Sequence, residues 1–329
     1  MPSPGTSIIT AWSELASTTY RNHSKDVADQ VSKQNALWRR IGDKGNARVE
    51  SGGLTIVQPL DYQANSTYMR YSGFDALNIA AVDVLTSAEY AWRQVAVNVA
   101  ASGLEIRTNM GDNRIVNFTK AKVKNAMRSM ANGLSVDTYS DGSLANQIGG
   151  LQLLVADNPT AVATVGGIPQ ASWPFWQNVL QSAAAPIQGG GAVTYSAATI
   201  ETMMLNTWIR TTRQGDTPDL IVFSDDLFAM YEQSQTSLKR YAPEDNGRGG
   251  MISMKYKTAD VFFDSSGGIP AVHGYFLNTD YLQIVAHRDA NATMMDEVRS
   301  VNQDAVVIPV LWQGNAVCSA RFLQAVMKA

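Results

Sequence analysis

Pro218-Asp219-Leu220-Ile221-Val222-Phe223-Ser224-Asp225-Asp226-Leu227-Phe228 is the stretch on which the fold class turns. Four consecutive apolar, largely β-favouring residues behind a proline predict a short strand buried on both faces. Ser224 is then placed to cap a helix whose Leu227, Phe228 and Tyr231 point to a core. Upstream, Ile200, Met203, Met204, Thr207, Trp208 and Thr211 recur three or four apart, which predicts a helix over about 198–213 facing the same way. Helix, strand, helix in this order signals a mixed α/β layer.

Outward from that layer, Val261-Phe262-Phe263, Gly274 to Leu277 and Tyr281 to Val285 predict three short strands. Residues 291–313 predict a longer run, with Gly314-Asn315 turning it into a final strand through Leu323 to Val326. On the N-terminal side, Asp141-Gly142 marks a turn at which a second region begins. Ile148-Gly149-Gly150-Leu151 opens a strand to Val155, and Gly166-Gly167-Ile168-Pro169 is a turn before Trp173, Phe175 and Trp176. Over 82–106 the alternation of Val95, Val97 and Val99 with Gln94, Ala96 and Asn98 predicts one long strand system with a buried face. Asn109-Met110-Gly111 then turns the chain, and Asp112 caps a helix to about Leu134. Val116, Thr119, Val123, Met127, Met130 and Leu134 line its narrow apolar face. Its remaining surface carries Lys120, Lys122, Lys124 and Arg128, a face that is either solvated or set against an acidic neighbour.

Two N-terminal segments do not read as cores. Residues 1–43 have a sparse apolar spacing (Ile8, Ile9, Trp12, Leu15, then Val27, Val31 and Leu37-Trp38), which suits an arm laid over something else. Residues 44–81 combine Gly52-Gly53, the β-rich Leu54 to Val57, Pro59, and the aromatics Tyr62, Tyr68, Tyr71 and Phe74 in a polar background. They fit either an irregular hairpin packed on its own domain or a long loop that docks on a partner.

Composition limits the function. In 329 residues there are 26 basic and 29 acidic side chains, so a dense cationic face for gripping nucleic acid is excluded and only weak contact remains. Only 17% of residues are charged, against a usual quarter, and a surface of uncharged polar groups is easily buried against neighbours. A lone cysteine, Cys318, excludes an intramolecular disulfide and a cysteine-built zinc site. No run approaches the ~18 apolar residues of a membrane span. Met1-Pro2-Ser3-Pro4-Gly5 has neither the basic nor the apolar region of a signal peptide, and a soluble protein made in the cytoplasm is expected.

Chemistry is hard to find. No phosphate loop or nucleophile elbow occurs, and Gly189-Gly190-Gly191 follows no strand. His23, His273 and His287 are far apart and lack metal-ligand spacing. Asp225-Asp226 falls in the first turn of a helix, where carboxylates oppose the positive helix end. Cys318 sits among Val317, Ala320 and Phe322 as a small core hydrophobe. The expected site list is therefore empty: no catalytic, cofactor-binding or metal-ligating residue.

Several strings taken in order are more telling. They are Gly52-Gly53-Leu54-Thr55-Ile56 with Pro59-Leu60, Asn109-Met110-Gly111, Tyr139-Ser140-Asp141-Gly142, Ile148-Gly149-Gly150-Leu151 and Val165-Gly166-Gly167-Ile168 before Trp176-Gln177-Asn178. Pro218 to Ser224 and Gly314-Asn315-Ala316-Val317-Cys318 follow. Over about residues 45–329 the set resembles the major capsid proteins of tailed bacteriophages, with the Hong Kong phage-type capsid fold. The resemblance implies an α+β fold with an N-terminal arm (1–43) and an extended β-hairpin loop lying over an adjacent subunit (44–81). It implies a peripheral domain (82–138 and 286–329, spine helix about 112–134) and an axial α/β domain (139–285).

It further implies a non-enzymatic protein without cofactors that self-assembles into hexamers and pentamers of an icosahedral shell enclosing the phage genome. The shell would be a virion component built in the host cytoplasm, with a portal protein, a possible decoration protein and double-stranded DNA held only by weak non-specific contact. The chain lacks a long charged coiled-coil segment, so a separate scaffolding protein is expected, or a segment removed ahead of Met1. No lysine occurs between Lys44 and Lys120, so the Lys–Asn cross-link that some members place in the extended loop is not expected. The alternatives are an encapsulin-like bacterial compartment shell and an α/β hydrolase or transferase with an unrecognised site.

Overall fold

A computed structural model describes residues 36–108, 118–161, 163–235, 254–264, 267–299 and 302–329. The arm expected over 1–43 lies outside these up to residue 35, as do the Asn109-Met110-Gly111 turn and the Asp112 cap.

The helices are α1 (Ala36–Asp43), α2 (Gly103–Thr108), α3 (Phe118–Asp137), α4 (Leu151–Leu154), α5 (Ile200–Thr211) and α6 (Asp225–Ser234). The strands are β1 (Ala47–Glu50), β2 (Thr55–Asp61), β3 (Leu85–Ala91), β4 (Arg93–Ser102), β5 (Thr164–Val165), β6 (Ile168–Pro169), β7 (Val179–Ser182) and β8 (Leu220–Phe223). They continue with β9 (Met254–Tyr256), β10 (Ala259–Phe263), β11 (His273–Leu277), β12 (Leu282–His287), β13 (Thr293–Met294), β14 (Val298–Arg299), β15 (Ala305–Cys318) and β16 (Ala325–Lys328). The chain divides into two compact units. Of the described residues, one holds those within 36–94, 134–291 and 313–329; the other holds those within 95–133 and 292–312.

In the larger unit the deciding stretch behaves as its sequence requires. β8 is buried at all four positions and lies inside a sheet of order β7-β16-β11-β8-β10-β9, parallel to β10 and antiparallel to β11. Ile221 and Phe223 point into a core with Met203, Met204 and Trp208 of α5 and Leu227, Phe228 and Tyr231 of α6. All six residues expected to face inward from α5 are buried. Leu220 and Val222, on the other face, are also buried, and there Tyr139 stacks on Tyr275 at 6.5 Å. Ser224 takes the cap position with extended backbone, but its hydroxyl makes no bond to the helix N–H groups.

The same unit carries β1, parallel to β12, and the C-terminal half of β15, antiparallel to β12. β2 and β3 form an antiparallel ribbon from Thr55↔Ala91 to Asp61↔Leu85. The β5–β6 hairpin bonds that ribbon through Gly166, whose carbonyl accepts from the Glu89 N–H at 2.9 Å. Gly166 has φ +58°, and a side chain there would crowd Ala88 and Tyr90, its Cβ lying 3.0–3.2 Å from their side chains. In the smaller unit, β13 and β14 pair with the N-terminal half of β15. There Gly103 donates its N–H to the Asp304 carbonyl at 2.7 Å, and Arg107 pairs with the Asp304 carboxylate. Lys122 of α3 pairs with Glu105 at 3.0 Å and donates to the Ala100 carbonyl.

Three sequence expectations need correction. The strand expected over 151–155 is the short helix α4, opened by a bond from the Leu151 N–H to the Thr138 carbonyl. An unalternating apolar run does not distinguish strand from buried helix. The strand system over 82–106 breaks at Trp92 and ends in α2. Gly314-Asn315 does not turn: β15 runs straight through it, and Gly314 is not among the positive-φ glycines a tight hairpin would need. Asn315 instead accepts from the Gly149 N–H and donates to the Ala91 carbonyl, and the reversal into β16 comes at a 3₁₀ turn, Arg321–Leu323. The period-two pattern of β4 holds, with Gln94, Ala96 and Asn98 exposed between more covered Val95, Val97 and Val99.

Gly150 makes a direct test of the α4 corner. A methyl there would lie 2.4–2.6 Å from the Ser140 N–H and the Asp137 and Thr138 carbonyls, all backbone. Gly150→Ala is expected to cost about 3 kcal/mol, read as a fall in denaturant midpoint, since rigid backbone cannot yield as a side chain would.

Candidate assembly surface

The groups that sequence reasoning tested for chemistry are committed elsewhere. His273, the first residue of β11, presents Nδ1 to the Ala271 carbonyl and Nε2 to the Asp157 carboxylate, each at 2.9 Å. With a carbonyl at one ring nitrogen and a carboxylate at the other, His273 is committed to a structural tie. His287 lies edge-on to Trp92 and accepts from the Asp289 N–H. His23 is outside the described residues. Cys318 is fully buried, which pushes its thiol up to about 12 and away from nucleophilic use. Asp225 and Asp226 lie in the first turn of α6. Among the described residues no group of three or more His, Cys, Asp or Glu could hold a metal ion, and no helix is long and apolar enough to cross a membrane. Gly189, Gly190 and Gly191 all have positive φ and are exposed.

Arg321, which sequence reasoning passed over, is fully buried in the 3₁₀ turn ahead of β16. It donates through Nε to the Leu154 carbonyl (2.7 Å), through Nη1 to the Trp176 carbonyl (2.8 Å), and through Nη2 to the side-chain oxygens of Gln170 and Asn178. No carboxylate is among these acceptors. A flat pentadentate donor is the one side chain that can serve so many carbonyls at once.

A second polar knot joins α1 and the turn after it to the start of β8. Asp219 accepts from the N–H and hydroxyl of Thr279 (both 2.7 Å) and pairs with Arg40 (3.2 Å) and Lys44 (3.0 Å); Arg40 also reaches Asp260, and Lys44 reaches Asp280. Burial works to raise the Asp219 pKa, but the Thr279 bonds and the Lys44 charge outweigh it and hold the carboxyl below its ordinary value.

What remains uncommitted is surface. Between β2 and β3 the chain leaves the ribbon over residues 62–84 and returns, closed at its base by the Tyr62 N–H on the Val84 carbonyl. Tyr62 is held by Trp173 (5.8 Å, edge-on) and Phe175 (5.6 Å). Beyond that base Tyr68, Met69, Tyr71, Phe74, Leu77 and Ile79 are all exposed, Ile79 by 93%. Order in this excursion comes from short-range bonds. Asn65 accepts from the Thr67 N–H, Asp75 accepts from the Ser72 N–H, and Asn78 accepts from the Ala80 N–H. So many exposed apolar side chains in one segment are a mark of a protein-binding surface. Trp173 and Phe175, flagged in sequence only as an aromatic cluster, anchor it.

No protein-family model matches the chain, and no curated protein matches it in sequence. Solved structures do. The capsid asymmetric unit of cyanophage A-1(L) superposes with a TM-score of 0.67 at 13% identity, over 93% of this chain and 95% of that one. The capsid of an empty GTA particle gives 0.59 at 10% identity, over 92% and 94%. The capsid of Myoviridae phage XM1 gives 0.56 at 8% identity, over 95% and 97%.

Two outcomes test the buried polar groups. Arg321→Met removes the donor from the Leu154 and Trp176 carbonyls and the Gln170 amide oxygen, while Asn178 keeps its bond from the Ala156 N–H, and is expected to cost about 3 kcal/mol; Arg321→Lys restores little, because one ammonium cannot reach all these acceptors. Chemical denaturation of both variants checks this. For His273, burial opposes the charged ring, but the bonds to Asp157 and the Ala271 carbonyl outweigh it and raise the pKa above 6.5. For Asp157, burial favours the neutral acid, but the His273 bond and charge outweigh it and lower the pKa below 3.8. A raised histidine pKa contributes stability that is full below 6.5 and lost as pH rises through the folded value; a lowered aspartate pKa contributes stability lost as pH falls through its folded value. The tie is therefore strongest between these limits. His273→Gln is expected to flatten the decline of the thermal midpoint on the alkaline side of pH 6.5. Together these comparisons establish that the chain has the α+β fold of phage capsid proteins along nearly its whole length.

Proposed function

We propose that this chain is the major capsid protein of a tailed bacteriophage, assembling into hexamers and pentamers of an icosahedral head that encloses the genome. The observation that carries the reading is the exposed apolar excursion at 62–84 on a chain with a capsid-protein fold. A free subunit gains nothing by displaying six large apolar side chains to water, whereas a shell subunit buries them against its neighbour. Residues 44–81 act as the extended loop, and residues 1–43 as an arm across adjacent subunits. Residues 82–138 with 286–329 act as the peripheral domain, and 139–285 as the axial domain around the symmetry axes.

Assembly physics agrees. Heterologous contacts that close generate rings and then a sphere, and a subunit engaged at several sites at once is retained even when each contact is weak. The near-balanced charge suits a container, since a strongly cationic inner wall would bind packed DNA tightly. The role is structural, without catalysis or cofactor, and the protein resides in the virion after assembly in the host cytoplasm. A separate scaffolding protein, a portal protein and possible decoration proteins are its partners in that assembly.

The test is electron microscopy with light scattering on the purified chain and on lysate of its native operon. Rings of five or six subunits or closed shells are expected; monomers or dimers under both conditions overturn the reading. Purified shells boiled in SDS are expected to run as single subunits, because no lysine lies between Lys44 and Lys120 to form a covalent weld in the loop.

A further inference from the structure

A cavity of about 370 Å³ opens in the larger unit between α5, β7 and the turn before β16. Its apolar wall is Val179, Ile187, Phe322 and Leu323; its polar side is Gln177, Arg210 and Arg213. The Arg213 guanidinium carbon lies over the Phe322 ring, 4.3 Å from its centroid. Stacking of this kind uses the face of the guanidinium and leaves its in-plane N–H groups free for an acceptor. Among the described residues neither arginine has a carboxylate within ion-pair distance, unlike Arg39, Arg40, Arg48 and Arg107. The cavity is thus complementary to an aromatic or aliphatic body that carries a carboxylate.

The chain itself presents such a group. At the far end of the 62–84 excursion, Ser72-Gly73-Phe74-Asp75 forms a closed turn. The Asp75 N–H donates to the Ser72 carbonyl at 3.2 Å, the Ser72 N–H donates to Asp75 Oδ2 at 2.8 Å, and Gly73 takes φ +54°. The turn projects Phe74 into solvent as a preformed knob with the Asp75 carboxylate beside it. Phe74 is wholly exposed, so it does not fill the cavity of its own chain.

We propose that the Arg210–Arg213 cavity receives the Phe74–Asp75 turn of a second copy of this chain, the ring against the apolar wall and the carboxylate between the guanidiniums. The inference rests on the shell reading and names the seat of its extended loop. Charge complementarity and the pairing of aromatic knob with carboxylate select this occupant. A knob already folded before docking loses little further conformational freedom.

The test has two arms. A fluorescent peptide spanning residues 68–80 is titrated into the full-length chain held as free subunits, and binding is followed by anisotropy. Saturable binding is expected, weakened at least tenfold by Arg213→Glu, by Arg210→Glu, or by Phe74→Ala in the peptide. An Asp75→Arg peptide is expected to bind the Arg213→Glu chain better than the unmodified peptide does. Both arginines are exposed, and circular dichroism with thermal melting verifies that the variants fold. In the second arm the full-length variants are assembled and their threshold concentration for shell formation is measured; a rise of tenfold or more is expected. Shells that form at the wild-type threshold from Arg210→Glu and Arg213→Glu chains overturn the seat and leave the shell reading intact. Absence of shells from the wild-type chain in its native lysate overturns the shell reading, while the peptide arm still decides the cavity: affinity indifferent to either arginine, or no saturable binding, rejects it.

Discussion

The buried guanidinium of Arg321 is the constraint to which the larger unit is arranged. A charge withdrawn from water is tolerated only when every donor finds an acceptor, and here all the acceptors are neutral. They come from the end of α4, from Gln170, and from Trp176 and Asn178 ahead of β7. One side chain therefore gathers the whole passage between residues 154 and 178 onto the turn that joins β15 to β16. Asn178 doubles the tie by exchanging both of its amide bonds with the Ala156 backbone. Because β16 sits between β11 and β7, the same turn fixes one side of the six-stranded sheet. The Trp173–Phe175 anchor of the exposed excursion lies inside the passage that Arg321 holds, so the placement of the loop base follows from it.

This dependence explains what could be read in the sequence and what could not. β8, α5 and α6 were legible because their apolar residues follow one period each and meet one another. Cys318 was legible for the same reason. Arg321 was not, because an arginine in a turn reads as surface until its acceptors, scattered from Leu154 to Asn178, are brought together by the fold. Gly314-Asn315 misled because the pair favours a hairpin turn only where the backbone adopts positive φ, and the long pairing of β15 with β12 keeps it extended. The run Leu151 to Val155 misled because four apolar residues carry no period; Gly150, pressed against three backbone atoms, decides for a helical corner.

For residues 44–81 the sequence left two readings level. The structure separates the parts: the ribbon of β2 and β3 buries Ile56, Leu60, Ala88 and Tyr90, while the excursion beyond Tyr62 buries almost nothing. The packed-hairpin reading thus holds for the ribbon, and the excursion is left exposed. The exposed portion is shaped by bonds within itself, spanning two or three residues at its turns and nine where the Asn78 N–H meets Met69 Sδ.

The sealed thiol of Cys318 has a practical consequence. It is the single cysteine of the chain, it has no exposed surface, and its burial disfavours the thiolate that alkylating reagents require. The native surface is therefore silent toward maleimides. A cysteine introduced at any exposed position, the tip of the 62–84 excursion included, becomes the one reactive handle on each subunit. Dyes, spin labels or cargo attached there would report on, or decorate, a single defined site without prior removal of a competing residue.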